Sequence, residues 1–207
     1  MTQSEETKDN VYNAEYGVLQ SSTGGYSGFV INLRVKLFLR EVQPRENERI
    51  LEIGCNDGIL FSQMERYSRE CYGIDVNKEI IKKCNNKRMQ VMSATELNFP
   101  DASFDKIYSS HVIEHIPDLN QAFREVFRVL RPGGKFIALF PCEPFRGARA
   151  LKDAFKLKKG LSYARQLHVH RLSPHKIRQI IRDIPFKKIT SRVVFTLLPD
   201  YLMTFQK

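Results

Sequence analysis

The chain has no long apolar run. Nowhere in its 207 residues does an unbroken hydrophobic stretch approach the roughly 18 residues that a membrane-spanning helix needs, and no apolar segment of the kind that directs export stands near Met1. Cysteine is scarce too: the four present, Cys55, Cys71, Cys84 and Cys142, lack the short spacing of a metal clamp. These absences argue against a membrane-spanning chain and a metal-clamped fold, and a reduced, cytoplasmic setting is the expectation.

Acidic residues are outnumbered, with 23 Asp and Glu against 33 Lys and Arg and a formal net charge of +10. The imbalance is local: between Pro141 and Leu172 lie eight Lys or Arg (146, 149, 152, 156, 158, 159, 165, 171) and only two acids, Glu143 and Asp153. Ala148, Leu151, Ala154, Phe155 and Leu157 fall on one side of a helix over 148–158 that Gly160 would end. Such a basic border raises the local concentration of an anionic ligand, or it is simply a solvated helix face. No RNA-binding module and no basic-aromatic repeat accompanies it.

The length suits one domain with a sizeable core. Residues Met1 to Asn10 are polar and are expected to fray. Apolar positions 30, 33, 37 and 38 predict a helix over 29–42, packed beside the body. From Arg49 strands near 49–54, 70–75, 88–92, 104–109 and 134–140 alternate with helices, which predicts an α/β fold with a parallel sheet covered on both faces. A strongly amphipathic helix at 119–130 is stopped by Pro132-Gly133-Gly134. Another opens at Ser173-Pro174 with an Ile177, Ile180, Ile181, Ile184 stripe. Two β-rich runs, 188–197 and 201–206, joined by Leu198-Pro199-Asp200, predict a hairpin at the sheet edge.

The organising stretch is Ile50 to Phe61, ILEIGCNDGILF, a strand that runs through Glu52-Ile53-Gly54-Cys55-Asn56-Asp57-Gly58 into a helix. Its glycines sit where the backbone must turn sharply and let a ligand near its amides. Asp75, ending the next strand, offers two oxygens to a ribose. Two nucleotide fingerprints are missing: Asn56 and Ile59 hold the places of the later glycines of G-x-G-x-x-G, and Ile59-Leu60 stand where a P-loop has lysine and a hydroxyl.

The pattern E-x-G-x-x-x-G followed by that acid resembles the class I S-adenosylmethionine-dependent methyltransferases. Further runs carry the resemblance: Leu97-Asn98-Phe99-Pro100-Asp101-Ala102-Ser103-Phe104-Asp105, then Ser109-Ser110-His111-Val112-Ile113-Glu114-His115-Ile116-Pro117-Asp118, then Glu125-Val126-Phe127-Arg128-Val129-Leu130-Arg131-Pro132-Gly133-Gly134-Lys135. Together they span roughly Arg49 to Pro141. The resemblance implies a Rossmann-like, doubly wound, mostly parallel seven-stranded sheet with an antiparallel last strand. Residues 46–207 would form the methyltransferase domain, with a basic helical insertion at 142–172, and residues 1–45 a tail and helix over the pocket, with Tyr12, Tyr16 and Tyr26 as lid residues or simple tethers.

By the same resemblance, Glu52, Gly54, Cys55, Asn56, Gly58, Asp75, Val76, Ala94, Thr95 and Ser110 would hold S-adenosyl-L-methionine. Asn56 replaces a frequent glycine, a left-handed position that asparagine tolerates; Ser93 replaces an aspartate that often meets the adenine. A helix beginning near Ser110 would put His111, Glu114 and His115 on one face, similar to the E-x-x-E-H of metal-binding relatives, which add a later histidine, here His168 or His170. Histidine stands first where they have glutamate, and no metal is expected. His111 and His115 are the candidate catalytic residues, as proton acceptor or substrate contact; the other reading has them and Glu114 cap and pack the turn. The function expected is O-methylation of a small, anionic metabolite or glycan precursor by a monomer or homodimer. RNA or lipid methylation, peripheral membrane contact and a non-catalytic cofactor-binding module are the alternatives.

Overall fold

A computed structural model of the chain describes residues 28–142 and 170–207; the N-terminal tail, Tyr12, Tyr16, Tyr26, His168 and the stretch 148–158, for which a basic helix was expected, lie outside the described residues. Helix α1 (Gly28–Val42) buries Val30, Leu37, Phe38 and Val42. Then follow β1 (Arg49–Ile53), α2 (Ile59–Glu65), β2 (Glu70–Asp75), α3 (Lys78–Cys84), β3 (Met89–Val91) and β4 (Phe104–Ser110). A 3₁₀ turn at Ile113–His115 leads to α4 (Leu119–Val129), β5 (Leu130–Pro141), α5 (Pro174–Ile180), β6 (Lys188–Phe195) and β7 (Pro199–Gln206).

The seven strands form one sheet in the order β3-β2-β1-β4-β5-β7-β6. Pairs among β1 to β5 are parallel, and β7 runs antiparallel between β5 and β6. The expected doubly wound sheet with an antiparallel last strand is what forms. Alternation along each strand divides the core in two, as side chains on successive residues point to opposite faces. One face gathers Leu51, Ile53, Ile74, Ile107, Phe136 and Phe205 under Phe123 and Val126 of α4 and Ile177 and Ile181 near α5. The other gathers Ile50, Cys71, Tyr108, Ile137 and Leu202 under Phe38 of α1 and Phe61 and Met64 of α2. On the first face Phe123 meets Phe205 edge-on at 5.0 Å and Phe136 stacks on Phe205 at 5.6 Å, geometries in which aromatic quadrupoles attract.

Caps fall where the residue types predict. The Ser173 side chain accepts from the Lys176 amide with Pro174 in the first turn, and Asp118 caps α4 by accepting from Gln121, each satisfying an orphan helix donor. Strand β5 begins earlier than the Pro132-Gly133-Gly134 stop suggests. Leu130 pairs with Phe104 and Lys135 with Lys106, so residues 131–134 bow out of the ladder as a bulge, with Arg131 donating to both carboxylate oxygens of Asp105.

The Glu125 and Arg128 pair of α4 has a mechanical role that spacing did not reveal. Arg128 donates to the carbonyls of Leu97 at 2.7 Å and Phe99 at 2.8 Å and to Asp101 and Glu125, while Glu125 accepts from the Leu97 amide at 2.8 Å. The loop 97–101 has no strand partner of its own, and this clamp takes up its backbone groups. Arg128→Ala should lower the unfolding free energy by about 2 kcal/mol, the scale of hydrogen bonds made by a charged group. Arg128→Lys should recover little, because an ammonium lacks the fork. Urea denaturation reads both, and an unchanged midpoint for Arg128→Ala would show the clamp to be idle.

Candidate active site

The strand order reverses between β1 and β4: from β1 the chain winds outwards through β2 and β3, and then returns to place β4 and β5 on the other side. At such a switch point the loops leaving neighbouring strands diverge, and a crevice opens beyond the strands' carboxyl ends. At the carboxyl ends of these strands stand the loop after Ile53, Asp75 at the end of β2, and Ser110 at the end of β4.

The loop after β1 is fixed from beneath. Gly54 and Cys55 both donate to the Ile74 carbonyl, at 2.8 and 3.0 Å, and Gly58 donates to Cys55 at 2.9 Å. Asp75 accepts from the Asn56 amide at 3.0 Å and from the Asn77 amide at 2.9 Å. These loop amides were expected to face a ligand; instead they are spent on holding the turn. Gly54, at φ +76, and Gly58, at φ +79, occupy left-handed backbone. A Cβ on Gly54 would strike the Val112 side chain, and one on Gly58 would meet Met89 at 3.1 Å. Glycine there serves the turn and the close packing against Val112 and Met89. Asn56 at φ 46 bears out the left-handed role read for it.

Glu52 and Cys55 lie behind this surface rather than in it. The Glu52 carboxyl is buried and accepts from the Tyr108 phenol at 2.9 Å; burial pushes it well above the ordinary carboxylate range against the pull of that hydrogen bond. Burial also pushes the Cys55 thiol far up, so it is an inert packing group. Asp75 is raised by burial and opposed by its amide donors. Val76 beside it is 58 % exposed, whereas Ala94 is buried and Thr95 shares a 2.7 Å hydroxyl contact with Ser93. Asn56 Oδ1 and Ser110 Oγ are buried, and no partner for either is found among the described residues.

No helix begins near Ser110. Strand β4 runs to Ser110, His111 adopts left-handed backbone at φ 58, and only the 3₁₀ turn follows. The pairing of the His111 amide with the Leu139 carbonyl at 2.8 Å extends the sheet and delays the turn. The three side chains converge all the same. Glu114 Oε1 lies 3.5 Å from His111 Nδ1 and 3.8 Å from His115 Nε2. On the other side of His111, Nε2 lies 3.7 Å from Asp200 Oδ1. Burial works against a charged Glu114, but the two imidazoles outweigh it and hold the carboxyl down at about 2. His170 does not join this group: its Nε2 donates to the carbonyls of Ile116 at 3.0 Å and Pro117 at 3.1 Å, which ties down the turn instead.

With this geometry in place, comparison with known proteins shows what the central part of the chain resembles. Residues 51–138 match the family model described as a methyltransferase domain. This part of the chain is similar to the class I S-adenosylmethionine-dependent methyltransferases. Among similar proteins, an uncharacterized methyltransferase YcgJ from Bacillus subtilis is 34 % identical over 110 residues, which cover 49 % of this chain and 44 % of that one. The ubiquinone/menaquinone biosynthesis C-methyltransferase UbiE from Rickettsia massiliae is 33 % identical over 118 residues, 49 % of this chain and 47 % of that one. The chain thus matches less than half the length of these relatives. The fold is shared with the crystal structure of YcgJ, at 21 % identity and a TM-score of 0.55 over 84 % of this chain and 97 % of that one. It is also shared with a SAM-dependent methyltransferase from Archaeoglobus fulgidus, at 16 % identity and a TM-score of 0.68 over 94 % of this chain and 100 % of that one.

Sequence reasoning missed Tyr108, Val112 and Asp200. Tyr108 carries no motif signal, Val112 stands in the 109–118 run with no role of its own, and Asp200 follows a proline, which reads as a turn. The Glu114 carboxyl gives a pH signature. Its folded value, about 2 against an ordinary 4.5, is depressed, so its contribution is complete above pH 4.5 and is lost as pH falls towards 2. The stability gap between the wild type and Glu114→Gln should therefore be widest near pH 6, on the order of a few kcal/mol, and shrink on acidification. Urea unfolding at pH 6 and pH 3 measures it, and a gap that does not depend on pH would refute the buried charge.

Proposed function

We propose that the chain transfers the methyl group of S-adenosylmethionine to an oxygen of a small anionic acceptor, in the crevice beyond β1, β2 and β4. The observation that carries the reading is the Asp75 carboxylate fixed by two backbone amides at the switch point, together with the buried Asn56 Oδ1 and, at the end of β4, Ser110 Oγ, neither of which has a partner among the described residues. The Asp75 oxygens, with about four lone-pair sites between them, keep capacity after accepting these amides, so the residues present fit a ribose. Val76, exposed at the end of the same strand, suits one face of an adenine. Gly54, Gly58, Glu52 and Cys55 would act from behind, by keeping the loop in shape, and Ala94, Thr95 and Ser110 would border the cofactor.

S-adenosylmethionine supplies a methyl group on a sulfonium whose thioether leaves readily, so the protein's share is to hold the acceptor in line. A hydroxyl acceptor must also shed a proton. The His111, Glu114 and His115 cluster supports that choice, because imidazole beside a carboxylate is the usual proton-accepting arrangement. The basic stretch at 142–172 supports an anionic acceptor, through its long-range field. The named C-methyltransferase relative, UbiE, keeps carbon methylation as the second reading.

Calorimetry tests the cofactor half. The wild type should bind S-adenosylmethionine, and Asp75→Ala should bind roughly ten- to a hundredfold more weakly, the scale of charge-assisted hydrogen bonds. Asp75 also holds the loop, so Val76→Asp is the cleaner companion: an exposed position whose change leaves the melting temperature alone and weakens binding. No binding by the wild type, or unchanged affinity in both variants, contradicts the site. For the acceptor, transfer of tritiated methyl to phosphomonoesters should exceed transfer to their parent alcohols and fall with added salt, which screens over about 8 to 10 Å.

A further inference from the structure

His111 has a carboxylate near each ring nitrogen, Glu114 Oε1 at 3.5 Å from Nδ1 and Asp200 Oδ1 at 3.7 Å from Nε2, the second an ion-pair approach without a hydrogen bond, and both acids are buried, with side chains 2 % and 0 % exposed. Asp200 is placed by the β6–β7 hairpin: the Thr196 hydroxyl donates to its other oxygen across the turn, and its backbone pairs with Val194 and Pro141. His111 is itself held on left-handed backbone, which a non-glycine residue keeps only where its surroundings impose it. An imidazole so bracketed directs neither nitrogen's lone pair towards an acceptor in the crevice. It orients the Glu114 carboxylate, and Glu114 in turn faces His115.

We propose that Asp200, anchored by Thr196, is a positioning residue: together with Glu114 it brackets the His111 imidazole and fixes its ring orientation and tautomer, so that the C-terminal hairpin completes the proton-accepting cluster and leaves His115 as the proton acceptor. The proposal rests on the methyl-transfer reading above. Asp200 and Thr196 lie outside the matched residues 51–138, so the part of the chain that the family model does not cover supplies this control. A tautomer set by the partner of the opposite nitrogen is the ordinary behaviour of histidine.

The test is the ring-nitrogen spectrum of ¹⁵N-labelled protein at neutral pH without cofactor or acceptor, with the His111 signals assigned by their loss in His111→Asn. In Asp200→Asn the His111 Nε2 resonance should move towards that of a bare nitrogen, and Thr196→Val, which keeps the carboxylate but removes its hydroxyl donor, should move it less in the same direction. The signals of His170 and His175 should stay in place. His111 signals unmoved in both variants, or a lowered melting temperature with an unmoved tautomer, overturn the proposal. If Asp200→Asn fails to fold, Thr196→Val alone decides. Because no ligand is present, the spectrum stands apart from the methyl-transfer reading. Failure of the wild type to bind S-adenosylmethionine in calorimetry removes that reading, and an immobile tautomer removes this one.

Discussion

One carboxylate ties together the parts of the crevice. Asp75 ends β2, accepts the amide of Asn56 from the loop after β1, and accepts the amide of Asn77 at the cap of the helix after β2. The two strands already pair through Ile53 and Ile74, and the Ile74 carbonyl takes the Gly54 and Cys55 amides. The loop therefore has almost no freedom of its own. Its curvature requires left-handed backbone at Gly54, Asn56 and Gly58, and the hydrogen bonds to β2 offset that conformational cost. Burial raises Asp75, so the amides have the further effect of favouring its charged form.

From that anchor the rest follows by adjacency. β4 pairs with β1, so Val112 beyond its end lies on Gly54. The same approach delivers Ser110 and His111 to the crevice. Behind the loop, Glu52 and Tyr108 pair across β1 and β4, a buried acid and phenol that satisfy each other where an unpaired polar group would be costly. The sheet thus sets the positions, and the side chains facing the crevice are a small remainder not absorbed by that scaffolding.

Much of this was legible in the residues, but unevenly. Elements with a strong period, such as 119–129, and caps with a local mechanism, such as Ser173-Pro174, form as read, because their causes lie within a few residues. The E-x-G-x-x-x-G turn was readable for the same reason, since backbone sterics are local. What the loop amides bind was not readable, because it depends on strand pairing. The His111 turn was misjudged because β5 offers the Leu139 carbonyl and extends the strand past the expected helix start. Asp200 was hidden for a topological reason: β7 inserts between β5 and β6, which carries a residue read as part of a turn into contact with His111.

On the proposed reading, the adenosyl cofactor lies in the crevice beyond β1, β2 and β4. A crystal structure of the protein with S-adenosylhomocysteine tests it most directly. Density for the ribose against the Asp75 carboxylate, with the adenine beside Val76, is the predicted result. Density elsewhere on the molecule, with the Asp75 carboxylate meeting only its backbone amides, would contradict it.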